Sequence, residues 1–366
     1  MTKMKKMMKK FFITLKPSLI AIGFGLLIGL IVMLIFNPGD AFPALFTLLI
    51  GGFNGGLIGI GNMLYQAAPI ILTGLAVAFA FKTGLFNIGA SGQMMIGAYV
   101  AIYIGVKWEL PGGIHWIVAM LIGTLAGGLW GLIPGLLKAI SNVNEVISSI
   151  MMNYIAGHLL IFLIRTTIFN GSYSRSMNIL PTAQLPMLTS IFPGSSANIG
   201  ILIAIAVAII IHIVIHKTTL GFQLRASGFS MDGSKYAGMN TKANIITAMS
   251  ISGLLAGLAG ALAYLVVGKT IGTAFEIFPQ GFDGISVALL GLGEPMGALF
   301  AGLFLSNLRM GGFYMQTYGF VPQIIDMIIS VIIYVTAISI ALQAALKVYG
   351  DRLRAWFKNR KLKEEV

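Results

Sequence analysis

The stretch K-T-G-L-F-N-I-G-A-S-G-Q-M-M-I-G-A-Y, Lys82–Tyr99, decides how this chain is read. It lies among apolar runs long enough to cross a bilayer, yet it is not one ordinary helix. Gly84, Gly89 and Gly92 each weaken a helix by about 1 kcal/mol relative to alanine. Asn87, Ser91 and Gln93 place polar side chains where lipid offers no partner. Irregular backbone at membrane depth persists only where protein buries it or where it lines a cavity. The stretch is therefore predicted to be a broken transmembrane segment beside a pathway.

The composition agrees. Only 10% of the 366 residues are charged, against about 25% in a soluble protein, and the mean hydropathy is +0.91. With no cysteine, disulfides, thiolate metal sites and cysteine nucleophiles are excluded. The net charge of +13 points to membrane orientation rather than to nucleic acid, because the basic residues cluster between apolar runs and at both termini. The basic N-terminus before Leu19–Phe36 resembles a secretory signal. The apolar run is long for a signal and no A-x-A site follows, so an uncleaved first crossing is expected.

Runs fit to span the bilayer fall near 18–36, 66–82, 90–106, 114–134, 145–164, 199–215, 245–267 and 324–346. The apolar region 282–308 is interrupted by Gly291, Gly293, Glu294 and Pro295, and the Gly-rich segment 41–61 reads as a partial insertion or an interfacial helix. Placing both termini, the stretch 216–244, Lys82 and Lys138 in the cytoplasm puts about 19 of the 24 basic residues there. The predicted fold is an all-α polytopic bundle forming a single transmembrane domain over 1–366. It has eight full crossings plus a re-entrant pair at 282–308, or ten shorter crossings. The longest outer loop is 165–198. Gly123, Gly127, Gly131 and Gly135, and Gly253 with Gly257, are spaced for close helix packing.

The inner stretch T-L-G-F-Q-L-R-A-S-G-F-S-M-D-G-S-K-Y-A-G-M-N-T-K-A-N, Thr219–Asn244, admits two readings. It is either a solvated basic loop or carries a short helix whose apolar side docks in a partner's groove. A short helix over Met231–Ala237 ending at Gly238 is predicted, since glycine favours the position just past a helix.

Residues Gly221–Asn240 with Met249–Ala261 resemble the coupling-loop signature of ATP-binding-cassette importer permeases for sugars, nucleosides and branched-chain amino acids. F-N-I-G-A-S-G-Q, Phe86–Gln93, is similar to the F-N-I-G-x-E-G-Q motif of the nucleoside and simple-sugar branch. Val143–Ala156 and Gly281–Ala298 resemble that branch too, so the likeness covers about 66–310. Ser91 stands where the branch carries Glu. The resemblance implies a permease for nucleosides without a motor of its own, and so not an enzyme. It also implies partner ATP-binding subunits, a second homologous permease and an extracellular lipid-anchored substrate-binding protein. ATP and Mg²⁺ would sit on the partners and no cofactor on this chain. Gly221, Arg225, Ala226, Gly228, Tyr236, Ala237 and Gly238 are then the coupling residues, and the chain resides in the cell membrane.

Asn87, Ser91, Gln93, Asn153 and Glu294 are the candidate pathway residues. Neutral, hydroxyl-rich solutes suit amide donors and acceptors, and a carboxylate at depth is a functional candidate by default. Against this, the same amides can simply satisfy a broken backbone, and Phe86 and Phe282 read as core rather than as base-stacking groups. The interrupted segments 82–99 and 282–298 form a pair of the kind that marks a translocation centre. Glu145 fits a helix N-terminus, and Asp326 fits an interfacial or capping role. Val267-Gly268-Lys269-Thr270 ends like a P-loop but has Ala263 where the first glycine belongs. His212 and His216 share a helix face but lack a third ligand in sequence, so no metal is assigned. Ribose-like sugars and branched-chain amino acids are the alternative substrates. An ion-coupled secondary transporter is the alternative of a different class.

Overall fold

The computed structural model describes residues 2–338, with side chains from Ser18 onward. The basic side chains before Ser18, the end of the expected crossing 324–346 and the basic C-terminal tail lie outside the described residues. The helices are α1 (Thr2–Phe36), α2 (Ala41–Ile50), α3 (Gly56–Phe81), α4 (Ala90–Lys107), α5 (His115–Ser141), α6 (Glu145–Thr167), α7 (Gly200–Lys217), α8 (Thr219–Phe229), α9 (Met231–Tyr236), α10 (Thr241–Tyr264), α11 (Pro279–Leu290) and α12 (Pro295–Tyr314). A further helix, α13, covers Gln323–Ile338. The only strands among the described residues are the two-residue pair β1 (Phe169–Asn170) and β2 (Arg175–Ser176), which form a hairpin within the predicted outer loop.

Contacts divide the chain into two units, Met1–Leu45 with Tyr318–Val366, and Phe46–Thr317. In the first, Gly25 and Gly29 of α1 meet Ile328 and Ile332 of α13, and a Cβ on either glycine would overlap those side chains. The end of α1 is set locally. Pro38 cannot continue a helix, and Asn37 Nδ2 donates to Asp40 Oδ2 at 2.9 Å.

The second unit is built around α3 and α10. Nearly every residue of α3 from Ala67 to Ala80 is buried, as is most of α10 from Ser252 to Ala263. The glycine periodicity explains how the helices come so close. Gly127 of α5 faces Gly257 of α10, and Gly97 of α4 meets the same Gly257 backbone. With no side chains between them, three backbones touch, and dispersion takes the place of the hydrophobic effect that lipid cannot supply.

Among the described residues, six helical segments are long and apolar enough to cross a membrane, which makes this a multi-pass membrane protein: Ser18–Phe36, Ala41–Phe81, His115–Ser141, Glu145–Thr167, Gly200–Lys217 and Thr241–Tyr264. The apolar run 90–106 forms α4, a buried helix packed among these. The Gly-rich segment joins α2 to α3 through a 3₁₀ turn at Gly51–Gly55. The interrupted region 282–308 becomes a hairpin. Its first arm, α11, has 12 residues and rises about 18 Å, too short for a crossing of about 30 Å. The second arm, α12, has 20 residues and is long enough.

Caps fix the remaining ends. The Asn144 carboxamide accepts from Val146 N and Ile147 N at the start of α6, while Glu145 pairs with Lys138 at 3.0 Å. Thr218, Ser230 and Asn240 cap α8, α9 and α10 in the same way. Gly238, at φ +79°, follows α9 as predicted.

Candidate functional site

The break between α3 and α4 spans Lys82–Gly89, and its polar groups answer one another. Asn87 is fully buried; its Nδ2 donates to Gln93 Oε1 at 2.9 Å and to Ser252 Oγ at 2.7 Å. Its Oδ1 accepts from Gly89 N at 2.9 Å and from Gln93 Nε2 at 3.2 Å. Asn153, reaching across from α6, accepts from Gly92 N at 2.8 Å and donates to the Ile88 carbonyl at 3.0 Å. Side chains on three helices thus supply the partners that an interrupted helix loses and that lipid would not replace. Ser91 is buried against Gly281 of α11, and its Oγ makes no hydrogen bond among the described residues. Phe86 stacks on Phe81 with centroids 5.2 Å apart.

Replacing Asn87 by leucine is expected to lower stability by about 2–4 kcal/mol, because it strips several buried polar groups of partners at once. A fall in the thermal midpoint of the detergent-purified chain checks this; an unchanged midpoint would contradict it.

At the Lys82 end, three elements converge. Lys82 Nζ lies 2.5 Å from Glu294 Oε1, and His216 Nε2 of α7 lies 2.8 Å from Glu294 Oε2. Glu294 closes the α11–α12 turn, in which Leu292 and Gly293 both adopt positive φ. Burial of its carboxyl pushes the pKa up, but the Lys82 and His216 contacts outweigh that and hold it below the ordinary value. Glu294 therefore ties the α11–α12 turn to the ends of α3 and α7.

The expected coupling residues lie beside this junction. Gly221 of α8 sits against the Val214 and Ile215 carbonyls, and Arg225 Nε donates to Gly221 O at 3.3 Å. Gly228 packs directly on the Lys82 carbonyl, with Gly84 as its other neighbour. Asn244 Nδ2 donates to Ser227 Oγ at 2.8 Å and so fastens α8 to α10. Phe229 and Tyr236 are each 93% exposed. Ala226 is half-buried on α8, and Ala237 and Gly238 are exposed just past α9.

Toward the other end of α3, about 25 Å from Lys82 by helix rise, lies a cavity of about 440 Å³. Tyr65, Gln66, Lys269, Gln280, Asp283 and Arg309 contribute its polar lining. Arg309 Nη2 pairs with Asp283 Oδ1 at 2.6 Å across the α11–α12 hairpin, and Tyr65 donates to the Ala263 carbonyl at 2.9 Å. Sequence reasoning missed Gln66, Gln280, Asp283 and Arg309. The available signal was a pair of opposite charges on the two arms of one apolar hairpin.

A third feature lies halfway along α6. Phe275 stacks between Tyr154 and His158, at centroid distances of 6.1 and 4.6 Å, and Gly157 leaves room for its ring. His158 is exposed. An imidazole at that depth is costly against lipid, so this face of α6 meets protein or water.

A buried polar break, a cavity with a polar lining and exposed aromatic side chains within a multi-pass helical bundle fit a membrane transport protein. The chain belongs to the family described as "Branched-chain amino acid transport system / permease component", which matches residues 59–338. It is thus a permease component rather than a catalytic subunit. It is 40% identical over 340 residues to the guanosine ABC transporter permease protein NupP of Bacillus subtilis (strain 168), covering 92% of this chain and 97% of that one. It is 35% identical over 338 residues to the nucleoside ABC transporter permease protein NupB of Lactococcus lactis subsp. cremoris (strain MG1363), covering 90% and 92%. It is also 30% identical over 306 residues to the glucose ABC transporter permease protein TsgB13 of Haloferax volcanii, covering 81% and 79%. No solved structure matches the chain.

Proposed function

We propose that this chain is the membrane-spanning permease subunit of an ATP-binding-cassette importer that carries nucleosides into the cell. The substrate assignment is supported by the end-to-end likeness to two nucleoside permeases at 40% and 35% identity. The mechanism rests on one contact, Gly228 of α8 against the Lys82 carbonyl. Through it, movement of the α8–α9 surface is transmitted to the break between α3 and α4 and, by way of Glu294, to the α11–α12 turn.

In this reading the Lys82 end faces the cytoplasm, which the placement of lysine and arginine supports, and both termini lie on that side. Partner ATP-binding subunits engage Phe229 and Tyr236, and ATP and Mg²⁺ remain on those partners. A second homologous permease completes the pathway, and a lipid-anchored binding protein delivers substrate from outside. The cavity lined by Gln66, Gln280, Asp283 and Arg309 receives it; its amide and ion-pair groups suit the hydroxyls and base edges of a nucleoside. Asn87, Gln93 and Asn153 hold the break in shape, Ser91 leaves room for α11, and Glu294 gates the inner mouth.

Competition of labelled guanosine uptake tests the substrate. Unlabelled nucleosides should suppress uptake at least tenfold, while ribose and leucine at the same concentration leave it unchanged. Suppression by ribose or leucine but not by nucleosides would overturn the assignment. Co-purification of an ATPase, a second permease and a lipoprotein tests the partners.

A further inference from the structure

Within the described residues, His212, His216 and Glu294 each present one ligating atom, and the three atoms lie within 4.8 Å of one another. The two histidines are one helical turn apart on α7, the spacing that puts both imidazoles on one face. Their rings stand 4.6 Å apart. The carboxylate comes from the α11–α12 turn, 78 residues further along the chain, which is why sequence spacing offered no third ligand. Two further observations point to a ligand. The Nδ1 of His212 is buried and makes no hydrogen bond among the described residues. A buried, unpartnered imidazole nitrogen is costly unless something fills its lone-pair direction. In addition, the other oxygen of Glu294 is held by Lys82 at 2.5 Å. A ligating carboxylate is commonly oriented in this way by a partner behind it.

We infer that His212, His216 and Glu294 form a binding site for a borderline divalent cation of the Zn²⁺ type, which links α7 to the α11–α12 turn. Two imidazoles and one carboxylate suit zinc, cobalt or nickel rather than the oxygen-seeking calcium or magnesium. Ligands at about 2.0–2.1 Å in a tetrahedral set lie about 3.3 Å from one another, against the 4.8 Å within which these three atoms already stand. The fourth position is left to water. His216 stands immediately before the turn into α8, whose Gly221 abuts the Val214 and Ile215 carbonyls. A cation bound here pins the segment that the proposed coupling movement must shift. Bound metal therefore slows transport; this last step rests on the permease mechanism proposed above, whereas the binding itself does not.

The test titrates the purified full chain with Zn²⁺ against a chromogenic chelator and records the visible bands of the Co²⁺-loaded protein. One cation per chain is expected, with tetrahedral cobalt bands. His212→Ala should weaken binding at least about tenfold, while His158→Ala, at a histidine outside the cluster, leaves it unchanged. His216→Gln serves as a second variant should H212A fail to fold. Absence of a stoichiometric site, or wild-type affinity in both cluster variants, overturns the inference. In the reconstituted importer, Zn²⁺ should slow uptake by the wild type and not by H212A, whose uptake without metal matches the wild type. Stoichiometric, H212A-sensitive binding with no effect on uptake would leave the site standing and overturn its inhibitory role.

Discussion

Gly228→Val is expected to reduce substrate uptake more than about tenfold while the chain still folds. Any Cβ at residue 228 overlaps the Lys82 carbonyl oxygen and comes within 3.1 Å of Gly84 N. The obstacle is backbone on both sides, so no rotamer relieves it. Relief requires α8 to lift off the α3–α4 break, and overpacking of this kind costs about 1–3 kcal/mol. Since about 1.4 kcal/mol is tenfold in an equilibrium, the displaced state should dominate. The rest of α8 stays anchored through Asn244 and Ser227, so the thermal midpoint should fall only modestly. Uptake and substrate-stimulated ATPase activity of the reconstituted importer check the result. Ordinary uptake by this variant would remove the contact on which the coupling mechanism rests. Gly238→Ala should be milder, because φ is +79° but a Cβ meets nothing within 4 Å.

Gly257→Leu carries the largest expected effect on folding. A Cβ at Gly257 would lie 2.8 Å from Gly127 Cα, 2.9 Å from Thr124 O and 3.0 Å from Gly123 O, all backbone atoms of α5. The α4 backbone presses on the same glycine from its own side, through Gly97. Three helices would have to separate, forfeiting the dispersion contacts that hold them in lipid. Loss of monodisperse protein on size exclusion is expected. Gly257→Ala should lower the thermal midpoint, and Gly23→Leu, where a Cβ meets nothing within 4 Å, should not. A well-behaved Gly257→Leu protein would show that this seam does not organise the bundle.

Composition and hydropathy were enough to place the chain in a membrane, because lipid imposes a length and polarity rule that any spanning segment must obey. The break at Lys82–Gly89 was legible for the same reason: glycines and amides inside apolar sequence violate that rule unless protein answers them. Motif order was enough to indicate the permease family. The short helix ending before Gly238 followed from local backbone preference.

What the tertiary structure decided was the partners. Asn87 reaches Ser252 of α10, 165 residues away, and Asn153 reaches Gly92 at the start of α4, 61 residues away, so the amides of the break find partners that no local pattern indicates. Asp283 meets Arg309 in a cavity that no local pattern marked, and Glu294 joins Lys82 and His216 from three separate elements. Hydropathy is a property of each segment against its solvent and is written along the chain. Pairing of polar groups depends on which helices touch, and that is fixed by backbone approach at glycines such as Gly127 and Gly257, through contacts between residues far apart in the chain.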